Sequence, residues 1–359
     1  MARFARIPTV LRLLLIVLIL SGCVTAQPAA PPVVAAAPFS RAAAYSGARN
    51  EHGLLIMRNG QTLYERYNDG FDENTPHRLA SGTKSFSCVM AIAAVEDGLL
   101  QLDKPVAKTI TEWQGHPLKA QITIRQLLSL TSGIEPGRRG FGPTYAGAIK
   151  AEAIHAPGTT FAYGPTPFQV FGEVMRRKLA SREESPLDYL KRRIFSSIGL
   201  EVGNWKFKDG NPNMPAGAFL TAREWAKFGM FINNGGRWNG KQVVDENLLN
   251  QCFQGSTANP YYGTTFWLNA FAKFPEDARK IKPGELHHAS VAKHRLIYAA
   301  GHGKQRLYML PDLGLVIVRF GESEFYGWND AEFLDALLAD IAEQGNATQD
   351  RITADDKEE

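Results

Sequence analysis

The spacing of apolar residues changes twice along this chain, and those changes limit the folds open to it. Leu54–Arg58 and Thr62–Tyr67 read as strands on either side of Asn59-Gly60, a strong hairpin-turn dipeptide. Helical spacing then takes over. Residues 88–95 (CVMAIAAV) form an almost unbroken apolar run that reads as a buried helix. Ile122 to Leu130 has an amphipathic pattern closed near Gly133, and Gln169 to Leu179, Pro186 to Ile194 and Ala222 to Ile232 follow. From about Arg295 the strand pattern returns in Leu296–Ala300, Arg306–Leu310 and Leu315–Phe320, before a last helix from Asp330 to Glu343. Strands at both ends with helices between them predict one antiparallel sheet built from the two termini and flanked by helices. The class is α/β (α+β), with a mainly helical insert.

Composition excludes more than it assigns. The 359 residues are 44% hydrophobic and 21% charged, which is ample for a core, and a net charge of +4 gives no reason to invoke nucleic acid. No basic stripe with interleaved aromatics is present, nor a Rossmann or phosphate-loop glycine motif, so no cofactor is expected.

The N-terminus is more specific. Arg3, Arg6 and Arg12 precede the apolar run Leu13 to Leu20, too short to remain as a membrane span but suited to an export signal. It ends in Leu20-Ser21-Gly22-Cys23, similar to a bacterial lipobox, so Cys23 is expected to be lipidated and to anchor the chain on the periplasmic side of a membrane. The expected organisation is a signal peptide over 1–22, an Ala/Pro-rich tether over 23–45, one catalytic unit over 46–345 and an acidic disordered tail over 346–359. Within that unit an α/β part takes about 46–95 plus 265–345, and a helical part about 96–264. Of the other cysteines, Cys88 falls inside the apolar helix, which favours a buried free thiol over a bridge to Cys252.

Chemistry concentrates at Ser81-Gly82-Thr83-Lys84, at the mouth of the apolar helix. A serine and a lysine three apart share a helix face, and the first turn adds unpaired N–H groups and the positive end of the dipole. That seats a nucleophile beside an amine able to take its proton. A second copy, Ser290-Val291-Ala292-Lys293, opens no buried helix and reads as accident. Tyr163 lies in a turn-rich stretch, Pro157 to Pro165, and Gly301-His302-Gly303-Lys304-Gln305 links two predicted strands. The histidines His287, His288 and His294 match no metal-ligand spacing, so no metal is expected.

The order of S-x-x-K, a turn tyrosine and a Gly-rich strand segment resembles the serine β-lactamase and penicillin-recognising family. It is most similar to the class C and esterase-like branch that includes 6-aminohexanoate-dimer hydrolases. The likeness runs over roughly residues 50–345, through Ala80–Phe86, Glu96–Asp103, Ile122–Leu128, Trp238–Gln242 and Tyr262-Gly263. It implies a β-lactamase/DD-peptidase-like fold and a serine hydrolase acting on a small-molecule ester or amide. Ser81 would be acylated, Lys84 would hold or relay its proton, and Tyr163 would pass the proton to the leaving group. The backbone N–H groups of Ser81 and of the segment after Gly301 would form an oxyanion hole, with His302, Gly303, Lys304 and Gln305 beside the substrate.

Two departures bear on the substrate. The family's tyrosine motif commonly ends in Asn two residues on, and here that place is Pro165. Where β-lactam enzymes usually carry Lys-Thr-Gly, this chain has Gly301-His302-Gly303. Both weigh toward an esterase or amidase. The alternatives are a β-lactamase or DD-peptidase and, from another class, a non-catalytic envelope-binding module.

Overall fold

Asn59 and Gly60 both take positive φ, 49° and 83°, which matches the turn to the right-handed twist of the strands it joins. The computed structural model describes residues 38–68, 70–269, 290–322 and 327–355, with side chains described to residue 344. The expected signal peptide, Cys23, His287 and His288 lie outside the described residues.

Along the first half come α1 (Ser40–Gly47), β1 (Glu51–Arg58), β2 (Gln61–Tyr67), β3 (His77–Arg78), α2 (Ser85–Glu96), α3 (Ile124–Leu128), α4 (Thr166–Leu179) and α5 (Pro186–Leu190). The second half adds β4 (Asn204–Trp205), β5 (Ala218–Leu220), α6 (Ala222–Asn233), β6 (Trp267–Leu268), β7 (Ile297–Gly301), β8 (Gln305–Leu310), β9 (Leu315–Gly321) and α7 (Asp330–Asp355). The main sheet is six-stranded and antiparallel, in the order β6-β7-β8-β9-β1-β2. Strands from both ends of the sequence therefore meet at β9 and β1, where Ile56 pairs with Ile317. A small sheet, β3-β5-β4, lies beside the start of α2.

Each face of the sheet has its own core. On one, α6 packs across β9, β8 and β1, and Leu307, Val316 and Val318 join the large apolar cluster of the helical region. On the other, Phe39 and Ala42 of the N-terminal end meet Tyr308, Ile317, Leu334 and Leu337. Helix α2 carries no amphipathic stripe because Phe86 to Ala94 are all buried, as expected of a helix apolar on every side. Burying each of its larger side chains contributes about 1.5–3 kcal/mol.

Several expectations need correction. The tether does not extend to residue 45, because Ser40–Gly47 is helical and Asp340 of α7 accepts the N–H groups of Arg41 and Ala42. The last helix continues to Asp355, into the stretch expected to be a disordered tail. Helix α3 starts later than expected because Thr123 and Gln126 close a capping box, and it ends before Leu130, which takes a positive φ of 60°. Helix α6, counted with the helical part, packs on the main sheet. Cys88 is not a free thiol. Its position on α2 faces the turn Gln251–Phe253, and Cys88 and Cys252 are disulfide-bonded with Cα atoms 6.4 Å apart.

Candidate active site

Ser81 and Lys84 sit on a 3₁₀ turn, Ala80–Lys84, that runs directly into α2. With three residues per turn, side chains at i and i+3 eclipse one another, which aligns these two better than an α-helix would. Ala80, just before the nucleophile, is held at φ 48°, a conformation that costs a non-glycine residue about 1–2 kcal/mol. Neighbours impose it. Ala218 of β5 takes the Leu79 N–H on its carbonyl and donates its own N–H to Thr83 Oγ1, which in turn donates to the Ala80 carbonyl at 2.7 Å. On the other side Gly301 of β7 lies against the Leu79 carbonyl.

Lys84 Nζ stands 3.0 Å from Ser81 Oγ and donates to the Pro215 carbonyl at 3.0 Å. The side chain is buried, with the rings of Tyr163 and Phe168 at 5.2 and 5.3 Å from Nζ. No carboxylate offsets that burial among the described residues, and the Arg139 guanidinium adds repulsion, so the Lys84 pKa falls to about 7. The half-buried Ser81 thus faces an amine of which about half is neutral at pH 7.

Tyr163 shares a hydrogen bond with Ser81. It reaches that position because Ala162 donates to the Leu130 carbonyl and Gly164 packs against the Pro136 carbonyl, where a side chain would clash. Burial pushes its phenol above the ordinary tyrosine value, against the opposing pull of Ser81, Arg139 and Arg306. Of the two groups beside Ser81, Lys84 is the one able to take up a proton near neutral pH, and Tyr163 keeps its own. Aromatic rings extend from Tyr163 as one wall: Trp267 stacks on it at 5.6 Å, and Tyr262 meets both rings edge-on. Phe161 packs against Tyr262 at 5.3 Å.

The Gly-rich segment is arranged differently from expectation. Strand β7 ends at Gly301, and His302-Gly303-Lys304 forms the turn into β8. The Gln305 side chain is buried and bonded to the Gly321 carbonyl and N–H and to the His302 carbonyl, so it ties the hairpin to β9 and is not available to a substrate. The Lys304 carbonyl accepts from Arg319, and Gly303 packs on Gly321. His302 is exposed on the turn. What lies alongside Ser81 is the β7 edge itself, because β6 pairs only with Ile297 and Tyr298 and leaves Ala299–Gly301 beyond its end.

The other candidates fall away from the site. Ser290 donates to Asp335, and His294 pairs with Asp312 at 2.6 Å. No cluster of metal-ligating side chains occurs among the described residues. Sequence reasoning missed the Pro215 carbonyl, which no side-chain pattern can announce, and Arg139, one of a pair of arginines in a loop without a motif.

The β-lactamase family model matches residues 39–332. The chain belongs to the β-lactamase family. A solved 6-aminohexanoate-dimer hydrolase candidate from Bacillus anthracis superposes on this β-lactamase relative with a TM-score of 0.65 at 20% identity, covering 85% of this chain and 81% of that one. A class C β-lactamase from Rhodobacter sphaeroides does so at 0.64 and 15% identity, covering 84% and 99%. An uncharacterized protein of Alkalihalophilus pseudofirmus is 23% identical over 331 residues, 82% of this chain and 88% of its own length. The protein is a serine hydrolase of the β-lactamase family, and its fold is the one these structures share.

Proposed function

We propose that the protein hydrolyses small esters or amides at the bacterial cell envelope through an acyl-enzyme on Ser81. The carrying observation is the Lys84 amine, buried, without a carboxylate partner among the described residues, and 3.0 Å from Ser81 Oγ. As Oγ attacks the substrate carbonyl carbon, Lys84 Nζ takes the hydroxyl proton. The oxyanion is received by N–H groups at Ser81 and the β7 edge, and one such donor is worth about 3 kcal/mol. Collapse breaks the bond to the leaving group. The Tyr163 phenol gives that group its proton and is refilled from Lys84. Water then attacks the acyl carbon by the reverse relay, releasing the acid and restoring Ser81.

An esterase or amidase is favoured over a β-lactamase because neither Pro165 nor the Gly301-His302-Gly303 segment supplies a side-chain amide or an ammonium at the usual places. The aromatic wall suits an apolar acyl or leaving group. The envelope location is supported by the lipobox-like Cys23 and by the Cys88–Cys252 bridge, which suits an oxidising compartment.

Steady-state assays with 4-nitrophenyl esters, aminohexanoate amides and nitrocefin test the reaction. Turnover of esters or amides that vanishes in Ser81→Ala is expected, and Ser81-dependent turnover confined to nitrocefin would select the β-lactamase instead. Lipid labelling of the full chain, expected to disappear in Cys23→Ala, tests the anchor; a mature chain that retains residues 1–22 would refute it.

A further inference from the structure

Arg139 stands beside the Ser81 site, over the Tyr163 ring, with no carboxylate paired to it among the described residues. Its guanidinium lies 5.6 Å over the Tyr163 ring, on the same ring that approaches Lys84 Nζ to 5.2 Å. The residue is exposed, and among the described residues its guanidinium makes no ion pair or hydrogen bond. Its neighbour Arg138 is occupied differently, with its guanidinium over the Phe141 ring at 4.5 Å.

The loop that carries Arg139 is pinned at several points. Glu135 N–H donates to the Glu152 carbonyl, and Thr166 N–H donates to the Pro136 carbonyl. Gln169 Nε2 holds the Pro143 carbonyl at 2.7 Å, and Lys208 donates to the Gly142 carbonyl. Gly137 and Gly142 both lie against the Pro165 ring, and Gly137, at φ 76°, sits so close to Thr166 that a side chain would not fit. A cation held on such a loop beside the nucleophile is preorganised for an anion.

We propose that Arg139 selects substrates bearing a carboxylate, so that the preferred ester or amide is an anion with an apolar body against Tyr163 and Trp267. A carboxylate on the guanidinium forms charge-assisted hydrogen bonds, and the aromatic rings take the hydrocarbon between it and the scissile bond. The proposal rests on the Ser81 hydrolase reading and specifies its substrate class. Arg139 acts here as a specificity residue, while the bond-making steps stay with Ser81, Lys84 and Tyr163.

The test compares matched pairs in which only the charge differs. 4-Acetoxybenzoate and its methyl ester place the carboxylate on the leaving group, and 4-nitrophenyl hydrogen terephthalate and its methyl ester place it on the acyl group. In the wild type, at least one anionic member should have the higher kcat/KM, carried mainly by KM and shrinking in 0.5 M NaCl. Arg139→Ala should lower the anionic-to-neutral ratio of kcat/KM about tenfold, and Arg139→Lys should keep much of the preference. Any effect of the lost charge on Lys84 reaches both members of a pair and cancels in the ratio. Equal ratios in wild type and Arg139→Ala for both pairs would overturn the proposal. Ser81-dependent turnover of the neutral esters reports on the hydrolase reading by itself. Calorimetric titration of Ser81→Ala with 4-acetoxybenzoate reports on Arg139 without turnover. Binding there that is unchanged on adding Arg139→Ala also overturns it.

Discussion

In the proposed reaction Lys84 takes the proton of Ser81, and its burial has consequences for folding as well as for chemistry. Its pKa is about 7 in the folded chain and about 10.4 when unfolded. Below pH 7 both states hold the proton and the full cost of the buried ammonium is felt. Between the two values the unfolded chain binds more protons, so stability rises with pH across that window. Relative to Lys84→Met, the wild type should therefore gain stability from pH 7 to 10 in urea titrations, and a flat difference would contradict the assigned environment. The same substitution should lower kcat by about 10²–10⁴. The pair Ser81 and Lys84 was legible in the sequence because the chemistry needs both types at one spacing on one apolar helix. Arg139 was not, because its role depends on a loop pinned by backbone contacts to segments distant in sequence.

At the scale of elements, the 3₁₀ turn and α2 hold the nucleophile against α6. Gly82 faces Trp225, and a Cβ there would come within 2.7 Å of the buried indole. Gly82→Ala should therefore cost about 1–3 kcal/mol of stability and reduce Ser81-dependent turnover, as measured by thermal melts and ester hydrolysis. An unchanged melting temperature would mean that the indole is free to give way. Strands β1, β2, β7, β8 and β9 were readable from their spacing, and α6 from its apolar stripe. The Gly-rich segment links two strands as its residues suggest, but the link is a tight turn with Gly303 and Lys304 at positive φ of 77° and 61°, and Gln305 closes the hairpin instead of facing a substrate. The Cys88–Cys252 bridge was hidden for another reason. Two cysteines separated by 164 positions carry no spacing, and only the packing of α2 beside Gln251–Phe253 brings them together.

For the whole molecule, the joining of the two chain ends is what positions the β7 edge beside Ser81. Asp330, at the start of α7, accepts from Arg306 of β8 at 2.6 and 3.0 Å, from Trp328 Nε1 at 3.1 Å, and from Tyr308. Arg306 in turn donates to the carbonyls of Gly301 and Gln305, so the pair fastens the last helix to the hairpin that follows β7. The Arg306 charge and the donors around it outweigh burial and hold the Asp330 pKa at about 2, below the unfolded value of about 3.9. Its stabilisation is then complete above pH 4 and is lost as the pH falls toward 2. Asp330→Asn should cost about 2–3 kcal/mol at neutral pH, with the deficit shrinking on acidification. A deficit constant from pH 6 to pH 2 would show that the charge is not what fastens α7.

The central claim is that a neutral Lys84 activates Ser81, and the rate of acylation against pH tests it most directly. Intact-protein mass spectrometry after rapid mixing with 4-nitrophenyl acetate, from pH 5 to pH 9, would follow the adduct in wild type and Ser81→Ala. The account predicts a single acyl adduct whose rate rises with pH through an apparent pKa near 7 and which is absent from Ser81→Ala. An adduct that persists without Ser81, or a rate still climbing as a free lysine would make it above pH 9, would contradict it.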